Sequence, residues 1–166
     1  MVATDRGLAS FQGGHFHVEL PGANVQLAVS GVEAVAGLRT FAATDTGVYG
    51  RDDSGQWSRV VADPAVASAR AITAWNGALW IGTENGLYAW DGSTLTPADA
   101  VSGCSVTSLG TGPGLKYDGQ VLWVGSQARP DDDKGRGYAI AVFEVVKVDL
   151  AERHNGSDLE ISVEDF

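Results

Sequence analysis

Short apolar runs alternate with turn-forming residues along the whole chain. Two of these runs, "ALWIG" (78–82) and "VLWVG" (121–125), are aliphatic and aromatic and carry no polar positions at helical spacing. Gly, Asn and Asp bound such runs, a pattern that is typical of buried β-strands. The chain is therefore predicted to be all-β.

A Thr-acid-x-Gly turn follows several of these runs. It occurs at Thr4–Gly7, Thr44–Gly47 and Thr83–Gly86, and successive copies are about 40 residues apart, which is the period of a β-propeller blade. Glycine can adopt a positive φ in such a turn, while the threonine and acid side chains can bond nearby backbone amides. In a fourth unit, Gly125-Ser126 takes the place of Gly82-Thr83.

The third unit, "AITAWNGALWIGTENGLYAWDG" (71–92), resembles the two-component regulator propeller repeat, whose core is Leu-Trp-Ile-Gly-Thr followed by Gly-Leu-Tyr. The second unit matches well, with Phe41 in the place of Trp80, and the first and fourth match in part. The resemblance implies one β-propeller domain over 1–166 and no particular activity, because propellers host many unrelated functions. Its blade units are expected at approximately 1–30, 31–63, 64–100 and 101–150.

The two ends of the chain predict how this domain closes. The first unit begins at the second strand of a blade, whereas residues 159–164, within "DLEISVEDF", form a strand without a unit of its own. Termini that share one blade leave no exposed sheet edge. The strand then completes either its own chain, as a four-bladed ring, or a second chain, as an eight-bladed dimeric ring. The resembled family usually has more than four blades, which slightly favours an oligomer.

The net charge of the chain restricts the classes of molecule that it is expected to bind. Acidic residues outnumber basic ones by 21 to 11, for a net charge of −10, and such a surface repels phosphate backbones, so no nucleic-acid partner is expected. Excess carboxylates with scarce lysine are equally compatible with a salt-adapted, halophilic host and with an ordinary acidic protein. The single cysteine, Cys104, excludes an intrachain disulfide and is expected to be buried in a strand.

The N-terminus has no basic segment followed by an apolar run, and no apolar stretch is long enough to cross a bilayer. Neither a signal peptide nor a membrane span is therefore expected. The predicted location is the cytoplasm or a virion.

The fourth unit contains an insertion of about eight residues, "RPDDDKGR" (129–136), in a turn that in propellers usually lies on the face of the ligand entrance. Consecutive acids can supply oxygens to Ca²⁺, but they lack the alternating ligand spacing of an EF-hand and lie beside basic groups. A solvated loop that contacts a protein partner is therefore favoured over a metal site. The candidate binding residues are Arg129, Asp131, Asp132, Asp133, Lys134 and Arg136.

The pair His15 and His17, in "GGHFHVEL" (13–20), shares one face of an alternating strand. This spacing can support a metal, but no third ligand is indicated nearby. The favoured interpretation is two solvent-facing histidines that flank a buried Phe16.

No nucleophile elbow, phosphate loop or metal-binding helix occurs in the sequence. The segment "GTGPG" (110–114) lacks the lysine and the following helix of a phosphate loop, so it predicts a long turn. We expect no catalytic residue, metal or cofactor. Four tryptophans are assigned to packing between blades rather than to stacking on a sugar: Trp75, Trp80, Trp90 and Trp123.

The predicted function is a non-catalytic binding or structural module that acts through protein–protein assembly, including self-association. One version is a virion surface or attachment component of a salt-adapted host. The resemblance implies an alternative, a sensory ligand-binding domain, although no kinase or membrane span accompanies it in this sequence. A lyase or hydrolase with a site at the central entrance is the third hypothesis, and it would need converging acids, histidines or a metal.

Overall fold

A computed structural model describes residues 1–113, 120–127 and 140–145. The described part is all-β, as predicted, and contains no α-helix. Two single turns of 3₁₀-helix lie at Pro64–Val66 and Asp99–Val101. The strands are β1 (Val2–Thr4), β2 (Gly7–Gln12), β3 (His15–Pro21), β4 (Val25–Val35), β5 (Leu38–Thr44), β6 (Gly47–Arg51), β7 (Trp57–Val61), β8 (Ala71–Trp75), β9 (Ala78–Thr83), β10 (Gly86–Trp90), β11 (Leu95–Ala98), β12 (Ser105–Pro113), β13 (Gln120–Gln127) and β14 (Ile140–Val145).

These strands form four antiparallel sheets, each built from strands that are consecutive in the chain. The first sheet is β1-β2-β3, the second β4-β5-β6-β7, the third β8-β9-β10-β11 and the fourth β12-β13-β14. Strand β8 of the third sheet contacts both β4 and β12, so the sheets follow one another in space as they do in sequence. No closed ring of sheets is found among the described residues.

Each pair of neighbouring sheets encloses an apolar cluster, because both faces of the middle sheets carry inward-pointing aliphatic and aromatic side chains. Burying these side chains is the main favourable term that holds the sheets together. The clusters contain Leu8, Leu20, Val25 and Ala42 between the first and second sheets, Phe41, Val48, Leu79 and Ile81 between the second and third, and Leu87, Val106, Leu122 and Val124 between the third and fourth.

The Thr-acid-x-Gly turn has one geometry in the first three sheets. In each, the threonine Oγ1 donates to the glycine carbonyl, at 2.7 Å from Thr4, 2.9 Å from Thr44 and 3.1 Å from Thr83. The same oxygen accepts the backbone N–H two residues further on. The predicted role of the threonine is confirmed. The turn joins β1 to β2, β5 to β6 and β9 to β10, which makes these strands equivalent between sheets.

The glycine-rich segment 110–114 differs from its prediction. Its first four residues continue β12, where Gly110 pairs with Trp123 and Pro113 with Gln120. Proline is tolerated there because β12 is an edge strand of its sheet. The predicted turn is therefore wrong for 110–113. The prediction that Cys104 is buried in a strand is also wrong, because Cys104 lies in a bend just before β12 and is only partly buried.

A carboxylate links the second sheet to the third. The two oxygens of Glu33, on β4, accept the backbone N–H groups of Asn76 at 2.8 Å and Gly77 at 3.0 Å. Those two residues form the β8–β9 hairpin turn and both have positive φ, 52° and 76°, as a type I′ turn requires. Successive N–H groups in this conformation converge on one anion, and the contact ties β4 to the β8–β9 turn.

Candidate functional site

The first sheet carries an exposed apolar surface. Among the described residues, every large hydrophobic side chain that is classed as exposed belongs to this sheet or to Met1 beside it. Phe16 is 68% exposed and Val18 is 72% exposed. Contiguous apolar patches of this kind on a protein surface mark sites of interaction.

The strand register places these side chains on one face. Phe16 pairs across the sheet with Phe11, Val18 with Ala9, and Val2 also with Ala9. The two phenylalanine rings touch, with centroids 5.0 Å apart. Because side chains alternate between faces along a strand, Val2, Phe11, Phe16 and Val18 form one continuous surface. We call these four residues the outer apolar face.

The opposite face of the first sheet packs against the second sheet. Leu8 and Leu20 are buried there, and the Ser10 hydroxyl donates to Glu19 at 2.7 Å. Glu19 in turn forms an ion pair of 3.3 Å with Arg51 of β6. Inter-sheet contacts of the first sheet are therefore both apolar and charged.

The predicted burial of Phe16 is wrong. His15 and His17 are exposed as predicted, but they lie on the side of Ser10, which is the side of the second sheet. Phe16 points the other way, and no sheet of the described residues covers it. Nothing in the histidine pattern itself distinguishes these two orientations.

Equivalent faces in the other sheets are buried by the sheet that precedes them. We call the side of a sheet toward its predecessor the leading face and the other side the trailing face. The residue two positions before the Thr or Ser of each repeat lies on the leading face of its sheet. In the second, third and fourth sheets this residue is Ala42, Ile81 and Val124, respectively, and each is 0% exposed. Val2 holds this position in the first sheet and is 47% exposed. The outer apolar face therefore consists of positions that are buried between sheets elsewhere in the described part of the chain.

The first sheet also has an open edge. Strands β5, β9 and β13 pair on one side with β4, β8 and β12, whereas the equivalent β1 is the last strand of its sheet in the described part. An edge without a partner among the described residues can serve as a template for another strand. An open edge and an uncovered leading face therefore occur together at one end of the array.

A second turn of the repeat is held by aspartate. In the β6–β7 turn, Asp52 accepts the hydroxyl of Ser54 at 2.6 Å and the N–H of Gln56 at 2.9 Å. In the β10–β11 turn, Asp91 accepts the N–H of Thr94 at 2.8 Å. The hydrogen bond from Ser54 lowers the pKa of Asp52, and the one from Thr94 lowers that of Asp91. Both carboxylates thus accept the hydrogen bonds that hold their turns.

The sequence-predicted binding loop lies outside the described residues, as does the predicted closing strand 159–164. Their roles stay predictions. The loop residues concerned are Arg129, Asp131, Asp132, Asp133, Lys134 and Arg136.

Sequence reasoning missed the outer apolar face. The signal that was available is the pair Gly13-Gly14, which predicts a tight hairpin and so places Phe11 opposite Phe16. Within the part of the chain that the structure describes, no group of three His, Cys, Asp or Glu residues is placed to hold a metal ion. No helix among these residues is long and apolar enough to cross a membrane.

The fold and the candidate site define a protein of consecutive antiparallel sheets with an uncovered apolar face at one end. Comparisons with family models, with curated proteins and with solved structures find no match to this chain. Its function is therefore argued from its own residues.

Proposed function

We propose that this protein is a non-catalytic β-propeller module that acts through protein–protein assembly, with the outer apolar face as its contact surface. The observation that carries the proposal is the exposure of Phe16 and Val18 on a face whose equivalents elsewhere in the chain are buried between sheets. Leaving such side chains in water costs roughly 1.5–3 kcal/mol each relative to burial. A covered state is therefore strongly favoured.

The propeller assignment is supported by the repeat of about 40 residues and by the packing of its sheets in chain order. Under this proposal, residues 159–164 supply the strand that pairs with the open edge of β1. The excess of carboxylates fits a salt-adapted host, and the surface of a virion is one setting for such a module.

The closing strand is tested by hydrogen exchange. We expect Ile161→Pro to raise the exchange rate of the Val2–Thr4 amides by tenfold or more, which corresponds to a loss of about 1.4 kcal/mol of protection free energy. The reason is that proline removes a backbone N–H from the strand ladder and disfavours a paired strand. Ser157→Pro, just before the strand, is the control and should leave those rates unchanged. Equal rates in the two variants and the wild type would show that 159–164 does not pair with β1.

Assembly is tested by light scattering after size exclusion. We expect the wild type to elute at two or more times 17.3 kDa, and Phe16→Asp to elute as a single copy, because a charge on the outer apolar face cannot be desolvated cheaply. His17→Asp is the matched control: it adds the same charge one residue away, on the other side of the strand, and should behave as the wild type. Val18→Asp provides a second, independent disruption.

A wild type that stays at 17.3 kDa at every concentration, in low and in molar salt, would contradict assembly through this face. So would a His17→Asp variant that dissociates as completely as Phe16→Asp. Molar salt should promote assembly, because each copy carries a charge of −10 and salt screens the repulsion between copies.

A further inference from the structure

We propose that the outer apolar face binds the trailing face of the fourth sheet of a second copy, so that copies join head to tail around Trp123. The inference rests on the proposed function and adds the identity of the partner surface. It is drawn from the way in which the sheets of a single chain already pack.

The interface between the third and fourth sheets is the template. Trp80, on the trailing face of the third sheet, packs on the cluster that contains Leu122 and Val124 of the fourth. Its Nε1 donates to the Trp75 carbonyl at 3.2 Å, and the two indole rings lie 6.1 Å apart. A tryptophan on a trailing face thus anchors one sheet on the leading face of the next.

Trp123 is the equivalent of Trp80 in the fourth sheet, since each follows a leucine and precedes an aliphatic residue and a glycine. Leu122 and Val124, on either side of it, point toward the third sheet. Strand alternation therefore directs Trp123 to the trailing face. Like Trp80, it is only partly buried, and under this proposal it is the anchor for the next sheet.

Two glycines of β12 lie beside Trp123 on the trailing face. A Cβ built on Gly112 would lie 3.3 Å from the Trp123 Nε1, so the indole rests beside a glycine. Gly110, directly across from Trp123, has no atom within 4 Å of the position its Cβ would occupy. A shallow surface with a central tryptophan is the kind of site at which interface energy concentrates.

Among the described residues, the outer apolar face is not covered by the fourth sheet. The fourth sheet is present in the structure, yet Phe16 and Val18 remain 68% and 72% exposed. Under this proposal a second copy offers the matching surface, since each copy carries one exposed outer apolar face and one trailing face around Trp123. Two copies related by a two-fold axis satisfy both faces of both chains in a closed ring.

The test uses the full chain and two variants of the trailing face. Gly110→Asp places a charge beside Trp123 without a clash inside the copy, and Trp123→Ala removes the anchor. We expect both to weaken association by about tenfold or more. Gln120→Asp is the control, because Gln120 is exposed on the same sheet and lies on the face of Leu122, opposite to the face of Trp123. Near-ultraviolet circular dichroism checks that each variant is folded.

Mixing distinguishes this arrangement from others. Phe16→Asp retains an intact trailing face and Gly110→Asp retains an intact outer apolar face, so an equimolar mixture should associate more strongly than either variant alone. If Gly110→Asp and Trp123→Ala associate like the wild type while Phe16→Asp does not, the assembly function stands and the head-to-tail contact is wrong. If Phe16→Asp also associates like the wild type, both proposals fail.

Oxidative footprinting of the wild type needs no variant. As the protein concentration rises, Trp123 and Phe16 should be protected together, while the fully buried Phe41 stays unlabelled throughout. Protection of Phe16 without Trp123 would overturn the head-to-tail contact.

Discussion

Substituting Gly47 with alanine is expected to lower the free energy of unfolding by about 2–5 kcal/mol, from positive-φ strain together with overpacking. Gly47 has a φ of 132° in the repeated turn. A Cβ at this position would collide with the carbonyl oxygen of Val61 and lie 3.3 Å from its carbonyl carbon. Both are backbone atoms of the outer strand of the same sheet, so neither can rotate away.

Alanine substitutions at two other glycines distinguish the effect of the collision from the effect of backbone strain. Gly86 has nearly the same φ, 140°, but its nearest neighbour would be the Val101 carbonyl oxygen at 3.3 Å. Gly77 has a φ of 76° and no atom within 4 Å. We expect alanine to lower the free energy of unfolding most at Gly47, less at Gly86 and by only about 1–2 kcal/mol at Gly77. Urea unfolding at constant m-value measures the order, and equal costs at 47 and 77 would contradict the collision.

Substituting Phe41 with alanine is expected to cost about 3–5 kcal/mol of unfolding free energy. Phe41 is 0% exposed and packs in the cluster between the second and third sheets. Its ring meets Trp90 edge-on, with centroids 6.4 Å apart and an interplanar angle of 79°. The substitution removes this contact and leaves a cavity that rigid strands on both sides cannot fill.

Phe16→Ala is the matched control for Phe41→Ala. It deletes the same atoms from a side chain that is 68% exposed, so in dilute, dissociated protein its cost should stay within about 0.5 kcal/mol. Thermal or urea unfolding at several protein concentrations compares the two. A cost at 16 that equals the cost at 41 in dilute protein would show that the outer apolar face is already covered within one chain.

Local chemistry was sufficient to predict the strands and the repeated turn. Thr44 and Gly47 belong to a turn in which the hydroxyl and the glycine conformation are both set by neighbours in sequence. Prediction failed at Gly110–Pro113, where glycine and proline favour a turn but the segment pairs with β13. The reason is that an edge strand tolerates proline, and edge position depends on the order of strands in the sheet.

For the first sheet, the sequence alone determined the alternation of side chains and, through Gly13-Gly14, the pairing of Phe11 with Phe16. It could not determine which face is covered, because alternation distinguishes two faces and assigns neither to the core. The tertiary structure decided this by placing Leu8 and Glu19 against the second sheet. Burial depends on residues that are distant in sequence, such as Arg51. The contact with Arg51 leaves Phe16 on the opposite side of the first sheet, which no sheet of the described residues covers.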